Sequence, residues 1–154
     1  MALAAALASC GFHLRGAATY TFQTIFVNAT AAPPLGTALR QAITATGSAK
    51  VVPAPKDAQL ILDIIGVVDD KEVLSLSQSG AVREYELIKR ASFRAHDADG
   101  NDWLPPGEIV VRRTYSFNET EALAREAQEQ RLLREMQQDV VQQLVRRLQA
   151  AHKP

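Results

Sequence analysis

The stretch Ala81-Val82-Arg83-Glu84-Tyr85-Glu86-Leu87-Ile88-Lys89-Arg90-Ala91-Ser92-Phe93-Arg94-Ala95 alternates along its whole length. Tyr85, Leu87, Ala91 and Phe93 share one parity, and Glu84, Glu86, Arg90, Ser92 and Arg94 the other. Successive side chains of a strand point to opposite faces. The pattern therefore predicts a long strand in an antiparallel sheet, buried on one face and wet on the other. Before it, Gln78-Ser79-Gly80 predicts a turn and residues 58–68 a partner strand, with Leu60, Leu62, Ile64 and Val68 on one face. Asp69-Asp70-Lys71 interrupts that face before Leu74 and Leu76 resume it, so a bulge or bend is expected there. After it, Asp97-Ala98-Asp99-Gly100 predicts a turn and Pro105-Pro106 a break. Residues 108–117 then predict a strand with Ile109, Val111, Tyr115 and Phe117 towards the core.

The flanks supply one more strand and two helices. Residues 20–27 are aromatic and β-branched and predict a strand with Tyr20, Phe22 and Phe26 on one side. Pro33-Pro34 suits the first turn of a helix, Leu35, Leu39, Ala42 and Ile43 recur at helical spacing, and Gly47 is placed to end it. Pro53 and Pro55 mark a loop. Asn118 with Glu121 predicts the start of a long helix reaching Ala150, with an apolar stripe of Leu133, Met136, Val140, Leu144 and Leu148. The order β-α-β-β-β-α predicts an α/β fold: a two-layer sandwich, a four-stranded mixed sheet with two helices packed on one face. Its opening β-α-β unit calls for a right-handed parallel crossover.

A chain of 154 residues is one ordinary domain with room for a core. With 47% apolar and 22% charged residues it is built to fold. Seventeen basic residues balance seventeen acidic ones, so there is no basic excess of the kind that nucleic-acid binders carry. His13, His96 and His152 share no evident Ser or Asp partners, and neither a Gly-x-Ser-x-Gly elbow nor a His-Glu-x-x-His motif is present. The sequence thus points away from an enzyme, and it implies no cofactor. Asp97, Asp99, Asn101 and Glu108 have calcium-loop spacing, but Asp102 stands where the loop needs Gly. A plain hairpin loop is the expectation there, and no metal site is assigned. Lys89 and Arg113 fall on the core-facing parity of their strands, where an unpaired charge is costly. Either each reaches a sheet edge or pairs with a helix carboxylate such as Glu126, or both join a cationic patch for a phosphorylated lipid. Trp103 either anchors against a partner or caps its own hairpin.

The single cysteine, Cys10, cannot form an internal disulfide. The apolar residues Ala2 to Ala8, then Ser9-Cys10-Gly11, look like the end of a secretory signal and a lipobox, with the Cys10 thiol as lipid acceptor. Acyl chains contribute roughly 0.8 kcal/mol per buried CH₂ and would hold the protein on a membrane. By resemblance to bacterial lipoproteins, Gly11 after Cys10 favours sorting to the outer membrane. The expected division is residues 1–9 as a signal-peptide remnant, 10–18 as a lipidated linker, 19–150 as the folded domain and 151–154 as a tail.

Cys10-Gly11-Phe12-His13-Leu14-Arg15-Gly16 is very similar to the mature start of the LptE lipoproteins. The similarity continues in Arg83-Glu84-Tyr85-Glu86-Leu87, in Arg113-Thr114-Tyr115-Ser116-Phe117-Asn118 leading into Ala122-Leu123-Ala124-Arg125, and in Gln143-Leu144-Val145-Arg146-Arg147-Leu148. The resemblance implies an outer-membrane lipoprotein on the periplasmic side that plugs the LptD β-barrel one to one, helps to assemble it and binds lipopolysaccharide. In that family a basic residue at a hairpin tip and another early in the last helix contact lipopolysaccharide. Arg125 matches the second. The tip here, Ser77-Gln78-Ser79-Gly80, has no cation, and Arg83 is the nearest basic substitute. The candidate lipopolysaccharide-binding set is therefore Arg125, Arg83, Arg113 and Lys89. The alternative is another envelope lipoprotein, a barrel-assembly factor or lipid-binding module, that does not pair with LptD.

Overall fold

The computed structural model describes residues 19–116 and 122–154, with side chains from residue 125 onward in the last helix. The elements are β1 (Thr24–Asn28), α1 (Pro33–Ala45), β2 (Lys50–Val51), a 3-10 turn (Pro55–Asp57), β3 (Leu60–Leu76), β4 (Val82–His96), β5 (Asp102–Ser116) and α2 (Ala122–Ala150). The sheet runs β2-β1-β3-β4-β5. β1 is parallel to β2 and β3, whereas β3, β4 and β5 are antiparallel neighbours. Both helices lie on one face: α1 packs on α2, β1 and β2, and α2 on β4 and β5. The two-layer α/β sandwich is as expected, but the sheet has five strands rather than four. The extra strand is the two-residue edge piece Lys50–Val51, paired to Thr24 and Ile25 and too short to carry a periodic signal.

The core lies between sheet and helices. Ile25 and Val27 of β1, Leu60, Leu62 and Ile64 of β3, Leu87, Ala91 and Phe93 of β4, and Ile109, Val111 and Tyr115 of β5 meet Leu35, Leu39 and Ile43 of α1 and Met136, Val140, Leu144 and Leu148 of α2. Gly47, at φ +68°, ends α1 with its N–H on the Thr44 carbonyl. Gly36 sits where α1 crosses Ala29, and a Cβ there would come within 2.5 Å of the Ala29 Cβ.

Three expectations need correction. The break at Asp69-Asp70-Lys71 is not one: Asp69, Asp70 and Lys71 pair in register with Lys89, Ile88 and Leu87. The register shifts instead between Ile64 and Gly66 and again near Ser75. The extra residue at Ile65 reverses the parity, so Val68 faces away from the helices at 52% exposure. Asp69 and Lys71 come onto the helix side instead, cross-strand from Lys89 and Leu87. Secondly, β1 starts only at Thr24, so its core face is Ile25 and Val27, and Phe26 points to the opposite face. Thirdly, β5 starts at Asp102 rather than Glu108, with the prolines absorbed at a register shift between Phe93 and Ala95 on β4. The cap at Asn118 with Glu121, and Phe117, lie outside the described residues.

Candidate functional site

The distal ends of β3, β4 and β5 meet the first half of α2 in a polar corner. Tyr85 and Tyr115 are register partners, stacked with ring centroids 5.7 Å apart. Lys71 lies over the Tyr85 ring with Nζ 4.4 Å from its centroid. Its ammonium donates to Glu129 Oε2 at 2.5 Å, and the Tyr115 hydroxyl donates to the same oxygen at 2.6 Å. Burial opposes the charge on Glu129, but the donors Lys71 and Tyr115, helped by the nearby charge of Arg125, hold its carboxyl below the usual range. Burial likewise opposes the charge on Lys71, and the bonds with Glu129 and Tyr115 overcome it and raise its pKa. The Tyr115 hydroxyl is raised by burial and by the carboxylate it serves. The corner thus keeps an ion pair in place across four elements.

The sequence-derived cations are spread around this corner rather than gathered in one cluster. Lys89 is only 5% exposed, and its ammonium donates to Asp69 Oδ1 at 2.5 Å. Arg113 pairs with Asp139 of α2 and also donates to the Arg112 carbonyl at 2.9 Å. Of the readings left open, a helix carboxylate describes Arg113, through Asp139 rather than Glu126, whereas Lys89 pairs with a strand carboxylate, Asp69 of β3. Arg83 is exposed on β4, beside the register irregularity at Ser75. Arg125 is half-buried, one helical turn before Glu129, whose charge it helps to maintain. Cys10 lies outside the described residues. Lys71 and Glu129 escaped sequence reasoning because the parity reversal at Ile65 puts Lys71 on the helix side.

Among the described residues no helix packs on the sheet face opposite α1 and α2, where Ile88 is buried between its neighbours' side chains but other apolar residues are not. Ile65, Val68 and Val110 stand on it at 58%, 52% and 41% exposure, and Val73, Leu74 and Leu76 are similarly exposed towards the hairpin end. Charged pairs frame them: Arg112 with Glu86, Arg90 with Asp70, and Arg94 with Asp102. At the other end of this face, His96 Nε2 lies 2.9 Å from Asp63 Oδ2, and Asp63 Oδ1 accepts from Asn28 Nδ2 at 2.8 Å, which ties three strands together.

The calcium-spaced loop is a hairpin turn. Asp97 Oδ1 accepts the backbone N–H groups of Asp99 and Asn101, and the Asn101 side chain bonds the same carboxylate. Among the described residues no group of three His, Cys, Asp or Glu side chains could hold a metal. Trp103 packs edge-on to Phe22 at 6.3 Å, capping the end of the core. Among the described residues no helix is long and apolar enough to cross a membrane.

The class this fold defines is that of a small two-layer α/β sandwich seen in bacterial lipoproteins. The solution structure of lipoprotein B from Nitrosomonas europaea matches 91% of each chain with a TM-score of 0.79 and 36% identity. Rare lipoprotein B of Shewanella oneidensis matches over 80% of this chain and 92% of its own, with a TM-score of 0.68 and 25% identity. The chain belongs to the LptE family: the lipopolysaccharide-assembly family model matches residues 22–148. It is 30% identical over 148 residues to the LPS-assembly lipoprotein LptE of Yersinia pestis, covering 94% of this chain and 70% of that one. Its role is therefore in lipopolysaccharide assembly, in a family of assembly lipoproteins rather than of enzymes.

Proposed function

We propose that the chain is anchored by lipid on Cys10 to the periplasmic side of the outer membrane. There it seats one to one in the lumen of the LptD β-barrel, assists assembly of that barrel and binds lipopolysaccharide on its way to the outer leaflet. Residues 10–18 would be the tether and 19–150 the plug. The observation that carries this reading is the open sheet face. Ile65, Val68 and Val110 are exposed on it inside a frame of charged pairs, and such a patch marks a protein-facing surface.

Lipid A phosphates favour charge-assisted hydrogen bonds from guanidinium groups. We assign that contact to Arg125 and Arg83, which flank the corner of Lys71 and Glu129. Lys89 and Arg113 have their charges held by Asp69 and Asp139 and act by shaping the surface between them. The test is a binding titration of purified lipopolysaccharide with the wild-type chain, Arg125→Gln and Arg83→Gln. Each substitution is expected to weaken binding several-fold with the melting temperature held. Unchanged affinity in both would remove these arginines from the site.

A further inference from the structure

We propose that the outer edge of β5 is a strand-addition site, which receives an extended segment of the barrel protein's chain bearing a carboxylate near Arg147. This rests on the barrel-pairing reading above and specifies where the pairing is made. β5 is the last strand of the sheet, and beyond Pro106 it runs for ten residues, Gly107 to Ser116, without a proline. From Glu84 to Phe93 its pairing with β4 is unbroken. Two side-chain bonds reveal which way its backbone groups point. Arg147 of α2 donates to the Glu108 carbonyl at 3.4 Å, and Arg113 donates to the Arg112 carbonyl at 2.9 Å. Glu108 and Arg112 have the same parity. The even-numbered residues, Val110 and Thr114 included, therefore direct N–H and C=O off the edge, while the odd-numbered ones bond to β4.

Exposed edges invite pairing, and proteins usually block them with prolines, bulges or outward charges. Here the prolines and the bulge guard only the first third. The arginines that would guard the rest are drawn inward, Arg112 to Glu86 at 2.7 Å and Arg113 to Asp139. Guanidinium bonds cover two carbonyls, but they are removable covers: an incoming strand can supply N–H donors in their place. Charge then selects the strand. Arg146 and Arg147 line a shallow groove on α2 with Gln143 and Ala150; Arg147 lies over the Phe93 ring, 5.1 Å from its centroid, and reaches this edge at Glu108, and among the described residues neither arginine has a carboxylate within ion-pair reach. A strand that displaced Arg147 from Glu108 would leave its guanidinium open to a carboxylate of its own.

The experiment is amide hydrogen exchange, resolved to single residues by fragmentation, on the wild-type chain alone and in the complex purified after co-expression with the LptD barrel of the same bacterium. The amides of Val110, Arg112 and Thr114 are expected to slow at least ten-fold in the complex, whereas those of Ile109, Val111 and Arg113 change little. An intact complex in which the even-numbered amides exchange as in the free chain would overturn strand addition and leave the barrel reading standing. No complex at all would overturn both. Slowing of the same amides in the chain alone as its concentration rises would assign the edge to a second copy and overturn the proposal. Thr114→Pro gives an independent check, because it removes an N–H that β4 does not use and leaves the apolar patch of the open face intact. The folded variant is expected to recover at least ten-fold less barrel; undiminished recovery would overturn the proposal.

Discussion

Lys89 shows what one buried charge imposes. Its ammonium is 5% exposed and is satisfied by Asp69, which the bulge at Ile65 turned onto the same face. Removing one partner of a buried pair leaves the other charge uncompensated. Asp69→Ala should cost roughly 3 kcal/mol in chemical denaturation, the low end for a buried pair because Asp69 keeps contact with water. Adding Lys89→Met should recover most of that loss; a double variant as unstable as the single one would contradict this account. At Gly36 the constraint is space. Its would-be Cβ meets that of Ala29 at 2.5 Å, so Gly36→Ala should cost about 1–3 kcal/mol through displacement of α1. Ala29→Gly in the same chain should relieve it, read from paired thermal melts.

Lys71 of β3 and Glu129 of α2 tie sheet to helix at the polar corner, and pH tests that coupling. Glu129 is held below its ordinary value of 4.5, so its contribution is present above that pH and is lost as pH falls through the lower folded value. Lys71 is raised above its ordinary 10.5, so its contribution is complete below that pH and is lost only as pH rises through the higher folded value. Glu129→Gln should therefore cost about 1 kcal/mol at neutral pH, given the partial exposure of the pair, and the gap from wild type should shrink steadily below pH 4.5. A gap as wide in acid as at neutrality would contradict the assignment. The same region shows where sequence stops being legible. Parity read the helix-facing residues of β4 and β5 correctly, including the placement of Lys89 and Arg113. It misplaced Val68 and missed Lys71, because one extra residue at Ile65 inverts every later position and no side-chain pattern announces it. β2 was invisible for a different reason. Its two residues are recruited by the edge of β1 rather than by a propensity of their own.

In the whole molecule both helices cover one side of the sheet, and the other side keeps Ile65, Val68 and Val110 in contact with solvent. Such a face fits the proposed seat in a barrel. Fold class was legible from alternation and from the Pro33-Pro34 start and Gly47 end of α1, and family from the matched blocks along the chain. The surface was not, since it depends on a bulge and on ion pairs between residues distant in sequence, such as Arg113 with Asp139. Charge on the open face should therefore disturb association and spare the fold. Val68→Glu is expected to keep the melting temperature within a few degrees and to reduce recovery of the partner several-fold.

Seating in a barrel is tested by extraction of the tagged protein from outer membranes in mild detergent, with quantification of what copurifies. An LptD-type β-barrel in equimolar amount is the expected result. Recovery of the lipidated protein alone, or with a different barrel, would contradict it.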